Sequence, residues 1–273
     1  MGYDLVRADY YSPIPDLAAL PESLWTDAAP MPGVDLRLDA SVELLERDLA
    51  PFIAEYAPPD DPPGTEHGYH RSNSMYPTVD GEILYALVRH LQPARIVEVG
   101  AGWSTRVIRD ALARNERETA HEIYDPFADE VAQRIGDSAD LQPIAAQDIP
   151  DEVFARLGSG DILFIDTTHT VKPGNDVMRL LGEVVPSLAP GVVVHIHDFF
   201  RPFEYPKFLM EDFGVFWQEQ YMLQAFLAFN ERFEVLIANH AVGRLRRDQV
   251  AAVIPGLPDP SPGSALWLRV REP

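Results

Sequence analysis

Between residues 95 and 198 the chain alternates short runs that are apolar on both faces with amphipathic helical patterns, and this alternation limits the fold more than any other feature. RIVEVG (95–100), DILFID (161–166) and GVVVHIHD (191–198) have no polar side to show to water. Such strands belong in a parallel sheet covered on both faces, with crossover helices between them. The helical stretches fit that role. Asp80 can cap a helix with Ile83, Leu84, Leu87, Val88 and Leu91 on one face. Ser104 or Thr105 can cap a second, with Val107, Ile108, Ala111 and Leu112 inside. FADEVAQRI is a third, and NDVMRLLGEVVPSL, capped by Asn175 and ended near Pro186, a fourth. AHEIYD and LQPIAAQD supply two further strands. The fold class is α/β, a doubly wound, mostly parallel sheet.

The ends of the chain read differently. Residues 1–79 carry SPIPD, APMPG and APPDDPPG around one helical pattern, Leu38, Val42, Leu45, Leu49, Phe52, Ile53 and Tyr56, with Asp39 as its cap and a kink at Pro51. PPDDPPGTEHG is the clearest hinge. This segment reads as an N-terminal helical and loop appendage, or lid, that contributes to a substrate pocket, and residues 80–273 as the catalytic domain. Residues 211–233 read as one long aromatic-rich helix with Glu219 and Gln220 facing solvent or a subunit partner. FEVLIANHAV and SALWLRVRE close the chain as strands; with no convincing crossover helix between them, the last is expected to enter antiparallel.

Charge and composition remove whole classes of function. A formal charge of −21 repels phosphate backbones, so nucleic acid is not an expected partner. The chain has no cysteine, which excludes thiol catalysis and Cys-ligated metal. No segment approaches membrane-spanning length and the N-terminus lacks a signal-peptide core, so a cytoplasmic location is expected.

The candidate site residues all fall at strand ends, where open α/β sheets bind ligands. Glu98, Gly100 and Gly102 form a strand-to-helix glycine turn; the glycines permit a sharp bend and close approach of a ligand, and Glu98 can accept from an amine or ribose. A dinucleotide fingerprint wants a third small residue where Thr105 stands. Asp125 closes the next strand at a spacing suited to ribose hydroxyls, with Glu122 as competitor. Asp148 could accept from an adenine amino group, and Asp166 could bind a cation or position a reacting group, with His169 three residues on. In GVVVHIHD, His195 reads as a hydrogen-bonded core histidine. His197 and Asp198 lie at the rim beside Asp166, where a metal site, metal-free acid/base chemistry and a purely structural role are all open.

EVGAGWST, the acid at Asp125, DILFIDTTHTVKPGNDV and GVVVHIHDFFRPFEYP together resemble the class I S-adenosylmethionine-dependent methyltransferases, and more narrowly methyltransferase family 24. SPIPD and SNSMYPTVDGEILYALVRH are similar to that branch as well. The resemblance covers about residues 70 to 270. It implies a seven-stranded sheet with a reversed last strand and S-adenosylmethionine as cofactor. Glu98, Gly100 and Gly102 would hold its methionine part, Asp125 the ribose, Asp148 the adenine, with Asp166 beside it. Metal-dependent sugar and macrolide O-methyltransferases of similar fold carry three acids. Asp166 and Asp198 match two of those positions, while His197 replaces the third, which leaves a divalent cation such as Mg2+ open.

The expected activity is O-methylation of a small molecule, a sugar or natural-product hydroxyl. His169, His197 and Asp198 are its catalytic candidates, with His169 or His197 taking the proton. Tyr76, Phe199, Tyr205, Trp217 and Tyr221 are candidates for the acceptor pocket. A homodimer through the aromatic helix is left open. The rival readings are a NAD-dependent oxidoreductase, against which Thr105 argues, and a metallohydrolase built on His195, His197, Asp198 and Asp166. A non-enzymatic cofactor-binding subunit is a further one.

Overall fold

The computed structural model describes residues 7, 9–62, 68–136, 140–259 and 262–272. The hinge read at 58–68 therefore lies partly outside the described residues. Seven strands form one sheet in the order β3-β2-β1-β4-β5-β7-β6. These are β1 (Arg95–Val99), β2 (Ala120–Tyr124), β3 (Leu141–Gln142), β4 (Ile162–Ile165), β5 (Val193–Ile196), β6 (Phe233–Ala238) and β7 (Leu266–Val270). β1 pairs in parallel with β2 and β4, and β4 with β5, while β7 is antiparallel to both of its neighbours. Strand order reverses between β1 and β4, so the crevice for a ligand opens above those two strands.

The pleat sorts the strand residues into two cores. Val97, Val99, Leu163, Ile165, Val194 and Ile196 pack on one face against the helices that follow β4 and β5. Ile96, Ile162, Phe164, Val193, Ile237 and Trp267 pack on the other against the helix Asp80–Leu91. Leu45, Leu49, Ile53 and Tyr56 belong to that second cluster, so the segment 38–56 buries its apolar stripe on the main core. Its helix changes to a π-helical stretch at Leu45–Leu49, immediately before Pro51, which has no N–H to continue the regular ladder.

Several expected boundaries shift. Of the long helix expected over 211–233 only Glu219–Leu227 is helical; a short helix, Lys207–Glu211, ends where the stretch begins, Gly214 adopts a left-handed φ of 64° and Val215 N–H turns back to Leu209 C=O at 2.8 Å. Glu219 and Gln220 are buried, at 2% and 0% exposure, and do not face solvent. The third strand is two residues long, since Pro143 stops it and a 3-10 turn Ala146–Asp148 follows. Two helices, Asn239–Leu245 and Arg247–Val253, do lie between β6 and β7. The expected caps also change. Asp39 accepts from Arg246 at 2.9 Å, and Asp80 turns into the interior. Ser104 and Thr105 lie inside a helix that starts at Trp103, where the Thr105 hydroxyl accepts from Gly102 N–H at 3.1 Å.

Candidate active site

β1, β2, β4 and β5 end on a common rim. Gly100 N–H donates to Tyr124 C=O at 2.9 Å, Asp166 N–H to Val99 C=O at 3.0 Å and His197 N–H to Ile165 C=O at 3.0 Å, so the sheet ladder sets the height of each residue. Gly100 is required here: its φ is 86°, and a Cβ would sit 1.7 Å from the Asp166 carbonyl oxygen. Two cavities open above this rim. The larger, about 540 Å³, runs beside Val99, Tyr124, Phe127 and Ala145 toward Lys172. The smaller, about 280 Å³, is bounded by Met75, Tyr76, Trp103, His169, Asp198 and Trp217. Gly100, Asp125 and Asp166–Thr168 border both.

Asp125 is fixed by Ala101 N–H at 3.1 Å and Phe127 N–H at 2.8 Å, one donor to each carboxylate oxygen. Each oxygen keeps a lone pair for a ligand in the adjoining cavities. Gly102 opens space, since a Cβ there would meet nothing within 4 Å. Glu98 is placed differently. It is fully buried, accepting from Ser104 Oγ at 3.0 Å and Thr105 Oγ1 at 2.8 Å, with His121 Nε2 at 2.7 Å. The side chain thus braces the glycine turn from inside and lines neither cavity. Asp148 is exposed on its 3-10 turn, outside both cavities. Glu122 is taken up by Arg95, Arg156 and the Tyr124 hydroxyl.

The titratable residues gather at the wall of the smaller cavity. His169 Nε2 lies 3.3 Å from Asp166 Oδ1 and 3.4 Å from Asp198 Oδ2, and its Nδ1 is 2.8 Å from Glu219 Oε2. His197 Nδ1 lies 3.7 Å from Asp166 and 3.6 Å from Asp198, and its Nε2 is 3.4 Å from Asp80. Ser264 Oγ donates to Asp198 Oδ1 at 3.0 Å. Both His169 and Asp198 hold left-handed backbone, φ 54° and 58°, a conformation non-glycine residues keep only where their surroundings enforce it.

This setting fixes protonation. Burial alone would lower the His197 pKa, but Asp198, Asp166 and Asp80 outweigh it and raise it from 6.5 to about 9. Burial is likewise outweighed at His169, which Asp166, Glu219 and Asp198 hold well above its ordinary value. Asp166 is held down to about 2: burial opposes its ionisation, and the His197 and His169 cations overcome that. His195 goes the other way, to about 3, through burial and then the neighbouring His197 cation. It stacks on Phe164 at 3.9 Å between ring centres and pairs through Nε2 with the Tyr76 hydroxyl at 3.1 Å, a neutral core histidine.

A divalent cation does not fit this arrangement. Among the described residues no group of three or more His, Asp or Glu side chains is set to hold a metal ion. The imidazole of His169 stands between Asp166 and Asp198, and both nitrogens of His197 face carboxylates. The expected metal set Asp166, His197 and Asp198 is assembled instead as an ion-paired cluster.

Of the aromatic candidates, Tyr76 and Trp217 line the smaller cavity, and Trp217 packs on His169 with ring centres 4.5 Å apart. Phe199 and Tyr205 are buried away from it, Tyr205 accepting from Gln220 N–H at 3.0 Å. Tyr221 is 40% exposed and donates to Glu204 at 2.6 Å. Residues that sequence reasoning did not assign to the site include Glu219, Asp80, Ser264, Met75 and Trp103. No local signal in the sequence marks the acids: Asp80 stands where a helix cap would and Glu219 between two glutamines, and each finds its partner only through the fold.

Residues 97–199 match the family model described as a methyltransferase domain, methyltransferase family 24. An uncharacterized protein of Archaeoglobus fulgidus is 30% identical over 112 residues, which are 37% of this chain and 48% of that protein. The chain thus spans about half the length of the curated relative it matches. An SAH-bound methyltransferase of Podospora anserina superposes with a TM-score of 0.45 at 16% identity, covering 86% of this chain and 88% of that one. An O-methyltransferase of Bacillus cereus in complex with SAH gives a TM-score of 0.41 at 13% identity, covering 87% and 91%.

Proposed function

We propose, from the match of residues 97–199 to methyltransferase family 24, that the protein is a class I S-adenosylmethionine-dependent methyltransferase that O-methylates the hydroxyl of a small molecule, a sugar or natural product, without a catalytic metal. The observation that carries this reading is the contact of His169 Nε2 with both Asp166 and Asp198 in the wall of a cavity that adjoins the glycine turn.

The residues present suit the cofactor. The larger cavity has apolar walls for a nucleoside and Asp125 at its edge for ribose hydroxyls, and Gly100 and Gly102 let the methionine end lie against backbone. When bound, S-adenosylmethionine supplies an electrophilic methyl group. The acceptor enters the smaller cavity, where Tyr76 and Trp217 form flat walls. Asp198 and Asp166 accept the hydrogen bond of its hydroxyl and so aim an oxygen lone pair along the line of displacement. The proton passes to this carboxylate and imidazole cluster as the new O–C bond forms. His169, with Nδ1 fixed on Glu219, and His197, backed by Asp80, hold the two carboxylates in place and keep Asp166 ionised.

His169 and His197 were the expected proton acceptors. With their pKa values raised, they carry protons already at neutral pH, which makes the Asp198 carboxylate the group in reach of the hydroxyl proton. Turnover is expected to rise on the alkaline side as an imidazole in the cluster becomes free to share it.

Calorimetry with S-adenosylmethionine and with NAD, followed by release of S-adenosylhomocysteine over a panel of sugar and phenol acceptors, tests the reading. Expected are binding of the methyl donor alone and product insensitive to chelator. His197→Ala and Asp198→Ala should lose turnover and keep donor binding. Binding of NAD in its place, metal-dependent ester or amide hydrolysis, or full turnover in both variants overturns it.

A further inference from the structure

We propose that Asp80 is the positioning residue of the site: it holds His197 from behind, and through His197 it sets the two carboxylates that face the acceptor. Asp80 lies 117 positions before His197 and outside the stretch that matches the methyltransferase family. It is the first residue of the helix Asp80–Leu91 and is 1% exposed. Its Oδ1 accepts from Asn239 Nδ2 at 2.7 Å and from the backbone N–H groups of Ser264 and Ala265 at 3.0 Å each. Its Oδ2 takes Ser264 N–H at 2.9 Å and faces His197 Nε2 at 3.4 Å.

Three features separate this arrangement from a simple tie between helix and loop. The turn that closes over Asp80 is built for close approach: Gly263 has φ 85°, and a Cβ there would meet Asp80 Oδ1 at 2.6 Å. The same turn delivers Ser264, whose backbone binds Asp80 while its hydroxyl binds Asp198. The His197 ring is held on its remaining side by Tyr76, stacked at 4.7 Å between centres. Asp80 therefore fixes which way His197 presents its front nitrogen, Nδ1, to Asp166 and Asp198. A ring free to turn would release both carboxylates from the geometry in which they meet the hydroxyl.

Asp80→Asn tests this with nearly unchanged volume. An amide nitrogen at the Oδ2 position donates to Nε2, so the Nε2 proton of His197 loses its carboxylate acceptor and keeps only the Ser264 hydroxyl oxygen, 3.4 Å away, a much weaker one. The first readout is the ¹⁵N spectrum of the histidine rings near neutral pH in protein without ligand, with His197 assigned by His197→Gln. In the wild type both His197 nitrogens should be protonated; in Asp80→Asn, Nε2 should move to the unprotonated range. An unmoved Nε2 signal overturns the proposal. If the variant does not fold, the wild-type spectrum decides alone, since a His197 Nε2 without a proton is incompatible with it. This readout needs no acceptor, so its failure is distinct from failure of the methyl-transfer reading, on which the second readout rests. There, kcat should fall roughly tenfold or more with the acceptor KM little changed, as for a lost orienting carboxylate. The residual turnover of His197→Gln, read over long incubation with excess enzyme, should not fall further when the same change is added. An equal loss in both backgrounds shows that Asp80 does not act through His197.

Discussion

Raising the pH should destabilise this protein through the histidines of its candidate active site. His197 titrates at 6.5 when free and at about 9 in the folded chain. Below 6.5 both states hold the proton and the full stabilisation is present. Between 6.5 and about 9 only the folded state holds it, so each pH unit removes about 1.4 kcal/mol, and the loss across the interval is about 3 kcal/mol. For a chain of this size that lowers the melting temperature by roughly 5 °C. His169, raised in the same direction, steepens the fall. On the acid side His195 acts in the opposite sense. Its folded pKa of about 3 lets the unfolded chain take a proton that the native state refuses, so stability also drops as the pH falls below 6.5. Urea unfolding at intervals from pH 5 to 10, with m-values compared throughout, measures this directly. Stability should peak near pH 6.5, and His197→Asn should flatten the alkaline limb. An alkaline limb unchanged by the substitution refutes the assignment of the proton to His197.

Other perturbations separate the roles of individual residues. Glu98→Gln keeps the shape of the side chain but cannot accept from all three of its buried partners; it should cost about 2–3 kcal/mol in unfolding free energy, with donor binding weakened only through the displaced turn. Asp125→Ala should weaken S-adenosylmethionine at least tenfold by calorimetry, the loss expected for one charge-assisted contact, about 1.5–3 kcal/mol, with little change in melting temperature. Gly263→Ala forces a Cβ against Asp80 in a left-handed backbone and should destabilise by about 1–3 kcal/mol, with turnover falling in step. Prolonged dialysis against a strong chelator should leave methyl transfer unchanged, measured as S-adenosylhomocysteine released.

The sheet was legible because a strand buried on both faces has to be apolar throughout, and that requirement is local. β1, β4 and β5 each sit within a run of this kind. Legibility failed where two structures make the same local demand. Aromatic residues at helical spacing over 211–233 satisfy one long helix and equally a glycine turn that leads into a short one, Glu219–Leu227. An acid before an apolar helix serves as a cap when it turns back on the helix, and as a buried ligand when it turns inward; the letters do not distinguish Asp39 from Asp80.

Glu98 and Glu219 show how far a single sequence can go within the site itself. The partners of Glu98 include Ser104 and Thr105, only six and seven residues away in the same motif, so a reading that counted hydroxyl donors near a buried acid could have turned its carboxylate away from the cofactor. Glu219 stands in a Gln-Glu-Gln triplet that looks solvated, and its partner His169 is 50 positions upstream. Only the fold brings those two together, and their union is what turns His169 toward Asp166 and Asp198. The site thus has two layers of different origin. Its rim, Gly100, Asp125, Asp166 and the His197–Asp198 pair, follows from strand ends and can be read along the chain. The carboxylates that orient it come from outside residues 97–199, from the helices at Asp80 and Glu219, and depend on long-range packing. Substitutions at the rim should therefore act on ligand binding and turnover directly, whereas those at Asp80 and Glu219 should act through the state of a histidine.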